Sequence, residues 1–242
     1  MDVPQPVSEE LRNDLRNLRT LNEWFGGLAI ARHAVDLAIA ARGGSTLRVL
    51  DLATGSGDLP RAMVHRARER NVNISIDAVD AQESTLHIAR ELSTAEPEIR
   101  YHAADIRTFG SGSRWDLVTC FLALHHFTEE DAVALLRRMH TMTSTMAMAA
   151  DLRRCLIGTA GVWLITETIL TDPMTRTDGR MSTQRAFSFQ EFGNLARAAG
   201  WESFRHKRCF CARQAVWTII TGSQRGDSPS NPSSSQSHEA TE

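Results

Sequence analysis

The sequence predicts a doubly wound α/β domain whose parallel sheet is covered by helices on both faces and ends in an antiparallel strand. Three observations predict this fold class. Short apolar runs alternate with stretches of helical periodicity through the middle of the chain. A glycine-containing turn at 54–57 separates the first apolar run from the helix that follows. The two final strand-like runs, within 204–220, have no helix between them.

The elements can be predicted in order along the chain. Leucines at helical spacing predict N-terminal helices with a break at Gly26-Gly27. Capping-box patterns at Thr128 and Ser188 predict the starts of two later helices, the first running through Met139. The predicted strands are 47–52, 74–80, 99–105, 116–122, 145–151 and two within 204–220, and the predicted helices between the early strands are 59–70 and 83–92.

Length and composition predict one main domain. The 242 residues are 42% hydrophobic, which is ample for one core and cramped for two. We expect an N-terminal helical segment over 1–44, the main domain over 45–221 and a disordered Ser/Pro-rich tail over 222–242. The longest apolar stretch, 155–170, falls short of the roughly 20 residues that cross a bilayer.

Charge and cysteine usage disfavour several classes of partner. A formal net charge of −2 gives no general attraction to nucleic acid or to an anionic membrane. The four cysteines form neither a disulfide framework nor a metal-ligand pattern, so no metal is expected. The N-terminus lacks a basic region followed by an apolar run, which predicts a cytoplasmic protein. The oligomeric state stays open.

The turn after the first strand, LDLATGSGD at 50–58, is the first candidate ligand site. In a doubly wound sheet, ligands bind beyond the carboxyl ends of the strands. Gly55 and Gly57 tolerate positive φ and leave no Cβ in the way of a ligand. Taken alone, such a turn fits a purely geometric role equally well.

Acidic residues at three successive strand ends favour a ligand site. Asp51 lies near the end of the first strand, Asp80 ends the second, and Asp105 closes the third. A carboxylate at Asp80 is placed to accept both hydroxyls of a ribose, and Asp105 to accept from an adenine amino group. Each acid alone fits a cap or turn residue, but the three together after a glycine turn predict one nucleoside site.

The acids also bear on the choice of cofactor. A dinucleotide site needs a third glycine and a helix start without negative charge, because pyrophosphate binds there. Pro60 holds the third-glycine position and Asp58 begins the helix, which disfavours a nicotinamide-dependent oxidoreductase. S-adenosylmethionine, which carries a sulfonium and an amino group, suits these carboxylates better.

The segments VLDLATGSGD, AVD ending at Asp80, AADI at 103–106 and DLVTCFLALHHF at 116–127 resemble class I S-adenosylmethionine-dependent methyltransferases. The resemblance covers roughly 45–220 and is strongest to small-molecule enzymes of the quinone-biosynthesis and natural-product type. It implies a Rossmann-like, seven-stranded mixed sheet whose last strand is antiparallel. The segments LNEWFGG and DLRRCLIG depart from the quinone-enzyme pattern, which leaves the substrate open.

The resemblance implies a set of cofactor-binding positions. Ala53, Thr54 and Gly55 would contact the methionine portion, with Asp51 and Gly57 in the same turn. The nucleoside and amino-group contacts would be Asp80, Ala81, Gln82, Asp105, Ile106, Phe121 and Leu122.

His125 and His126 are the candidate catalytic residues. They follow the fourth strand, where the methyl group would project, and a histidine titrates near neutral pH. Packing is the competing interpretation, and of the two we expect His126 to be nearer the cofactor and His125 to be structural. The sequence thus predicts methyl transfer to oxygen or carbon of a small aromatic, polyketide-like or quinone-like acceptor. An RNA or protein methyltransferase and an inactive cofactor-binding regulatory or scaffold protein remain the alternatives.

Overall fold

The computed structural model describes residues 6–154 and 185–220, and within them seven strands form a single mixed sheet. The strands are β1 (Thr46–Leu52), β2 (Asn73–Asp80), β3 (Ile99–Ala103), β4 (Trp115–Phe121), β5 (Thr143–Leu152), β6 (Phe204–Cys209) and β7 (Arg213–Ile219). Their order across the sheet is β3-β2-β1-β4-β5-β7-β6. The first five strands are parallel, and β7 is antiparallel to both of its neighbours. The predicted fold class, with its antiparallel last strand, is confirmed.

Helices cover both faces of this sheet. Those described are α1 (Glu9–Trp24), α2 (Gly27–Arg42), α3 (Asp58–Glu69), α4 (Glu83–Leu92), α5 (Glu129–Met142) and α6 (Phe189–Ala198). The two predicted capping sites are present: Thr128 accepts a hydrogen bond from the backbone of Asp131, and Ser188 forms a full capping box with Glu191. The predicted break between the first two helices falls at Gly26, which has a φ of 79°.

Side chains that alternate along the strands pack into two separate hydrophobic cores, one on each face of the sheet. Along β1, Leu47 and Val49 pack on the face covered by α2 and α3, whereas Leu50 and Leu52 pack on the face covered by α5 and α6. The central strand β4 is buried along its whole length, as expected of a strand covered on both faces. The sheet is therefore a rigid base whose carboxyl edge carries the loops.

The N-terminal segment reaches this carboxyl edge. In α1, Leu11 and Leu15 pack on Ile88 of α4. Near the other end of α1, the Asn22 side chain donates to Asp58 at the start of α3. Because the start of α3 lies beyond the carboxyl end of β1, α1 borders the region where the sequence predicts a ligand.

Two predicted strands run past the ends that the structure gives them. The third was predicted to continue to Asp105 but ends at Ala103, because the Asp105 side chain accepts from the Arg107 backbone and turns the chain. The fourth ends at Phe121, one residue early, because Leu122 has a φ of 56°. The apolar stretch 155–170 and the predicted tail 222–242 lie outside the described residues. None of the described helices is long and apolar enough to cross a membrane.

Candidate active site

The turn between β1 and α3 needs glycine at position 57. Gly57 has a φ of 73°, and a Cβ there would lie 2.1 Å from the Tyr101 hydroxyl oxygen. That hydroxyl is held by a 2.8 Å hydrogen bond to the Ser93 Oγ. The second glycine of the motif therefore admits the Tyr101 ring against the back of the turn.

The first glycine of the motif has a different surrounding. Gly55 has a φ of 56°, and a Cβ there would find no atom of the described residues within 4 Å. Ala53, two residues earlier, also has positive φ, at 58°. Strained backbone of this kind is concentrated at functional sites. The outer side of the turn is thus an accessible backbone surface at the end of β1.

Asp80 joins this turn to the end of β2. Its Oδ2 accepts from the Gly55 amide at 2.9 Å, and its Oδ1 accepts from the Gln82 amide at 3.0 Å. The Thr54 amide donates to the Val79 carbonyl at 3.0 Å, which adds a second link between the two loops. Each carboxylate oxygen keeps acceptor capacity beyond its one backbone bond. Asp80 therefore fixes the turn and presents negative charge beside it.

Asp51 lies beneath the turn rather than on its surface. The residue is only 2% exposed, and its Oδ1 accepts a 2.6 Å hydrogen bond from the Thr119 hydroxyl of β4. Burial raises the pKa of Asp51 to about 7, and the Thr119 hydrogen bond opposes that rise. Any action of Asp51 on a bound cation is consequently electrostatic and varies with pH near neutrality.

This burial predicts a pH-dependent stability. A carboxyl whose pKa rises on folding stabilises the protein below its unfolded pKa and loses that contribution as pH rises through the folded pKa. The Asp51→Asn variant keeps the acceptor for Thr119 but removes this titration. Its free energy of unfolding relative to the native protein should increase by about 2–3 kcal/mol between pH 5 and pH 8. Denaturant titrations of both proteins measure it, and a difference that is constant with pH would contradict it.

Asp58 is held by neighbours on two elements. Its Oδ1 accepts from the Ser56 hydroxyl at 2.9 Å, and its Oδ2 accepts from the Asn22 side chain at 2.8 Å. The carboxylate is largely buried at the first turn of α3, where it complements the helix dipole. The negative charge at this helix start, inferred from the sequence to repel pyrophosphate, is therefore fixed in position.

The adenine-side residues occupy the loops after β2 and β3. Ala81 is exposed, Gln82 is half-buried and Ile106 is buried. The Asp105 side chain accepts from the guanidinium of Arg107 at 2.7 Å, and this hydrogen bonding lowers the pKa of Asp105. The Ala104 amide donates to the Asp80 carbonyl, which ties this loop to the previous one. The structure thus brings the loops that carry these residues to one edge of the sheet.

A buried histidine–carboxylate pair follows β4. The His125 Nδ1 lies 2.6 Å from the Asp151 Oδ1, and the His125 amide donates to the Asp151 Oδ2 at 2.9 Å. Asp151 is fully buried near the end of β5 and also accepts from the Leu152 amide. His126 is exposed, and its ring centroid lies 4.1 Å from that of His125. Asp151 therefore fixes the orientation of the His125 ring.

Phe121 and Leu122 complete the rim between β1 and β5. Phe121 is buried, and the Leu122 amide donates to the Ala150 carbonyl at 2.8 Å. The positive φ of Leu122 mirrors that of Ala53 at the end of the neighbouring strand. Two strained residues thus flank the crevice between β1 and β4, which is where strand order reverses and ligands bind in such sheets.

The family comparison agrees with this geometry. Residues 49–145 match a family model described as a methyltransferase domain. These residues are a methyltransferase domain. The resemblance to class I S-adenosylmethionine-dependent methyltransferases is confirmed, and with it the predicted enzyme class and cofactor. A comparison with curated protein sequences finds no match.

Solved structures share the fold of the methyltransferase domain and its flanking helices. The plantazolicin methyltransferase BpumL in complex with SAH is 13% identical, with a TM-score of 0.65 over 87% of this chain and 89% of that one. Human N-acetylserotonin methyltransferase in complex with SAM is 16% identical, with a TM-score of 0.61 over 86% and 55%. Magnesium protoporphyrin IX methyltransferase from Synechocystis PCC 6803 is also 16% identical, with a TM-score of 0.56 over 81% and 84%. At these identities the likeness shows the fold alone.

Two residues of this candidate site were not singled out from the sequence. Asp151 lies near a strand end, so the rule that identified the other acids applies to it as well. Thr119 carries no such signal, because its contact with Asp51 depends on the register of β1 with β4. Within the described residues, no group of three or more His, Cys, Asp or Glu side chains is arranged to hold a metal ion.

Proposed function

We propose that this methyltransferase transfers the methyl group of S-adenosylmethionine to oxygen or carbon of a small aromatic, polyketide-like or quinone-like acceptor. The observation that carries the proposal is the His125–Asp151 pair. It lies on the same edge of the sheet as the glycine turn and Asp80. A donor site and an oriented proton acceptor on one rim are what methyl transfer to a hydroxyl or an activated carbon requires.

The donor would lie across the carboxyl ends of β1, β2 and β4. Its methionine portion would contact the backbone of the turn at Ala53–Gly55, where a Cβ on Gly55 would meet nothing. Asp80 would accept from the ribose hydroxyls with the lone pairs that its two backbone bonds leave. Carboxylates at Asp51, Asp58 and Asp80 would favour the positive sulfonium over a neutral thioether.

The transfer itself would be an in-line displacement. The bond between the methyl carbon and sulfur breaks as the bond to the acceptor forms, and the sulfonium leaves as the neutral thioether of S-adenosylhomocysteine. Holding the acceptor near attack distance contributes most of the acceleration. With the Nδ1 proton of His125 donated to Asp151, the lone pair on Nε2 is the basic site that accepts the acceptor's proton. His126 would then serve the cofactor side of the site.

Two alternatives make different predictions. A nucleic-acid methyltransferase needs a basic surface, whereas this chain carries 27 basic and 29 acidic residues. An inactive binding module would bind the donor without needing a polarised histidine. The buried His125–Asp151 pair favours the enzyme, because a buried ionisable pair is retained at a cost in desolvation.

A methyl-transfer screen tests the proposal. Labelled S-adenosylmethionine is incubated with a panel of phenols, quinols and activated-carbon acceptors, with an RNA pool and a protein extract in parallel. We expect label in one or more small acceptors and none in RNA or protein. Label transferred only to RNA or protein, or donor binding without transfer to any acceptor, would contradict it.

A further inference from the structure

An arginine outside the predicted site is buried beside it. Arg213 is the first residue of β7 and pairs with Leu152 at the carboxyl end of β5. It is only 4% exposed, and its Nη2 donates to the Asn22 side-chain oxygen at 3.0 Å. Among residues 6–154 and 185–220, its Nε has no hydrogen-bond partner and no ion pair includes it. In that part of the chain one neutral amide oxygen accepts from it, against five N–H donors on a guanidinium.

The charge of this guanidinium is only partly balanced. Burial lowers the pKa of Arg213 to about 10, so the side chain stays cationic at neutral pH. The carboxylates that act on it most are Asp151 and Asp58. Asp151 is already bonded to His125 and Leu152, and Asp58 to Ser56 and Asn22. A buried cation with engaged counter-charges and an unbonded donor is costly unless an anion binds it.

The guanidinium borders a small cleft at the rim. Arg213 lines this cleft together with Asp151, Phe121, Leu122 and apolar side chains of α2 and α3. Apolar walls exclude water and strengthen an ionic contact inside.

The helix junction is shaped around the same side chain. A Cβ on Gly27 would lie 2.9 Å from the Arg213 Nη1. Glycine at the start of α2 therefore lets the guanidinium approach the backbone of the N-terminal segment. Asn22 of α1 then holds its far side. Residues from α1, α2 and β7 thus position one cation at the rim of the methyltransferase domain.

We propose that Arg213 is the anchor for a carboxylate of the bound reactants. This inference rests on the proposed function and deepens it. Guanidinium and carboxylate match in bidentate geometry. Two molecules would bring a carboxylate to this cleft. One is the donor, whose methionine end would lie near the lining residues Phe121 and Leu122. The other is an acceptor acid, which would lie near Asp151, a lining residue that is hydrogen-bonded to His125.

The test compares Arg213→Met with the native protein in two measurements. Calorimetry gives the affinity for S-adenosylhomocysteine and for its decarboxylated analogue. Turnover of labelled donor gives the preference for hydroxybenzoic acids over the matching hydroxybenzamides. Arg213→Lys keeps the positive charge without the bidentate guanidinium. Its affinity and its acid preference are expected to lie between those of the native protein and Arg213→Met. Arg205→Met, at an exposed position on β6, is the control.

The outcomes separate the two sources. A loss of 10-fold or more for S-adenosylhomocysteine, with the decarboxylated analogue unchanged, assigns the donor carboxylate. If Arg213→Met binds S-adenosylhomocysteine with unchanged affinity but loses the preference for acids over amides, Arg213 binds the carboxylate of the acceptor. The proposal is overturned if the native protein and Arg213→Met bind S-adenosylhomocysteine equally well and the native protein has no preference for acids that the variant loses. Failure of the native protein to bind S-adenosylhomocysteine would instead contradict the proposed function.

Discussion

Replacing Asp151 with asparagine should lower kcat about 10²–10⁴-fold, the range that general-base catalysis supplies. The variant removes the negative charge that stabilises protonated His125. It also places an NH₂ group against one of the backbone amides of His125 and Leu152, both of which now donate to the carboxylate. The affinity for S-adenosylhomocysteine should change little. Kinetics with an acceptor from the screen, together with calorimetry, measure both effects.

Alanine variants of the two histidines extend this prediction, with His125→Ala as a second test and His126→Ala as the control. His125→Ala should lose turnover to the same extent as Asp151→Asn, and the double variant should lose little more, because the residues act as one unit. His126→Ala, at an exposed position, should lose less turnover than His125→Ala. Native turnover in Asp151→Asn, or a larger loss in His126→Ala than in His125→Ala, would reject the assignment of His125 as the base.

Replacing Gly57 with alanine should lower the free energy of unfolding by about 2–4 kcal/mol, which combines positive-φ strain with overpacking. The φ of 73° disfavours any side chain, and the new Cβ would lie 2.1 Å from the Tyr101 hydroxyl oxygen. Denaturant unfolding measures the loss. The Gly57→Ala, Tyr101→Phe double variant should recover part of it, because the clashing oxygen is gone.

Gly55→Ala is the control within the same turn. It carries the φ strain alone, so it should cost only about 1–2 kcal/mol of stability. Its methyl group enters the side of the turn where no atom of residues 6–154 or 185–220 lies within 4 Å, so it should weaken binding of S-adenosylhomocysteine instead. Equal stability of the two alanine variants would show that the contact with Tyr101 does not explain the glycine.

The fold was predictable because its signals are local. Helical periodicity, the two capping residues and the short apolar runs each depend on neighbours within a few residues. The parallel order and the antiparallel end follow from the presence or absence of intervening helices. The error at the third strand arose where Asp105 forms a turn with its own side chain, which apolar patterning does not register.

The residues of the site were predictable only where an acidic side chain lies at the end of a predicted strand. Asp80 was identified in this way, and the rule extends to Asp151. The pairing of Asp151 with His125 joins residues 26 positions apart, so the sequence alone did not predict it and favoured a structural role for His125. The contact between Arg213 and Asn22 spans 191 positions and depends on how α1 crosses the rim. Such contacts follow from the tertiary structure and not from any local pattern.

Calorimetric titration of S-adenosylhomocysteine into the native chain, with NADH in parallel, tests the central claim most directly. We expect S-adenosylhomocysteine to bind and NADH not to bind. Asp80→Ala should weaken binding by about 1–3 kcal/mol, while Asp77→Ala, on the same strand but bonded to His102 and Trp115, should not. Binding of NADH, or equal affinities in the native protein and Asp80→Ala, would contradict it.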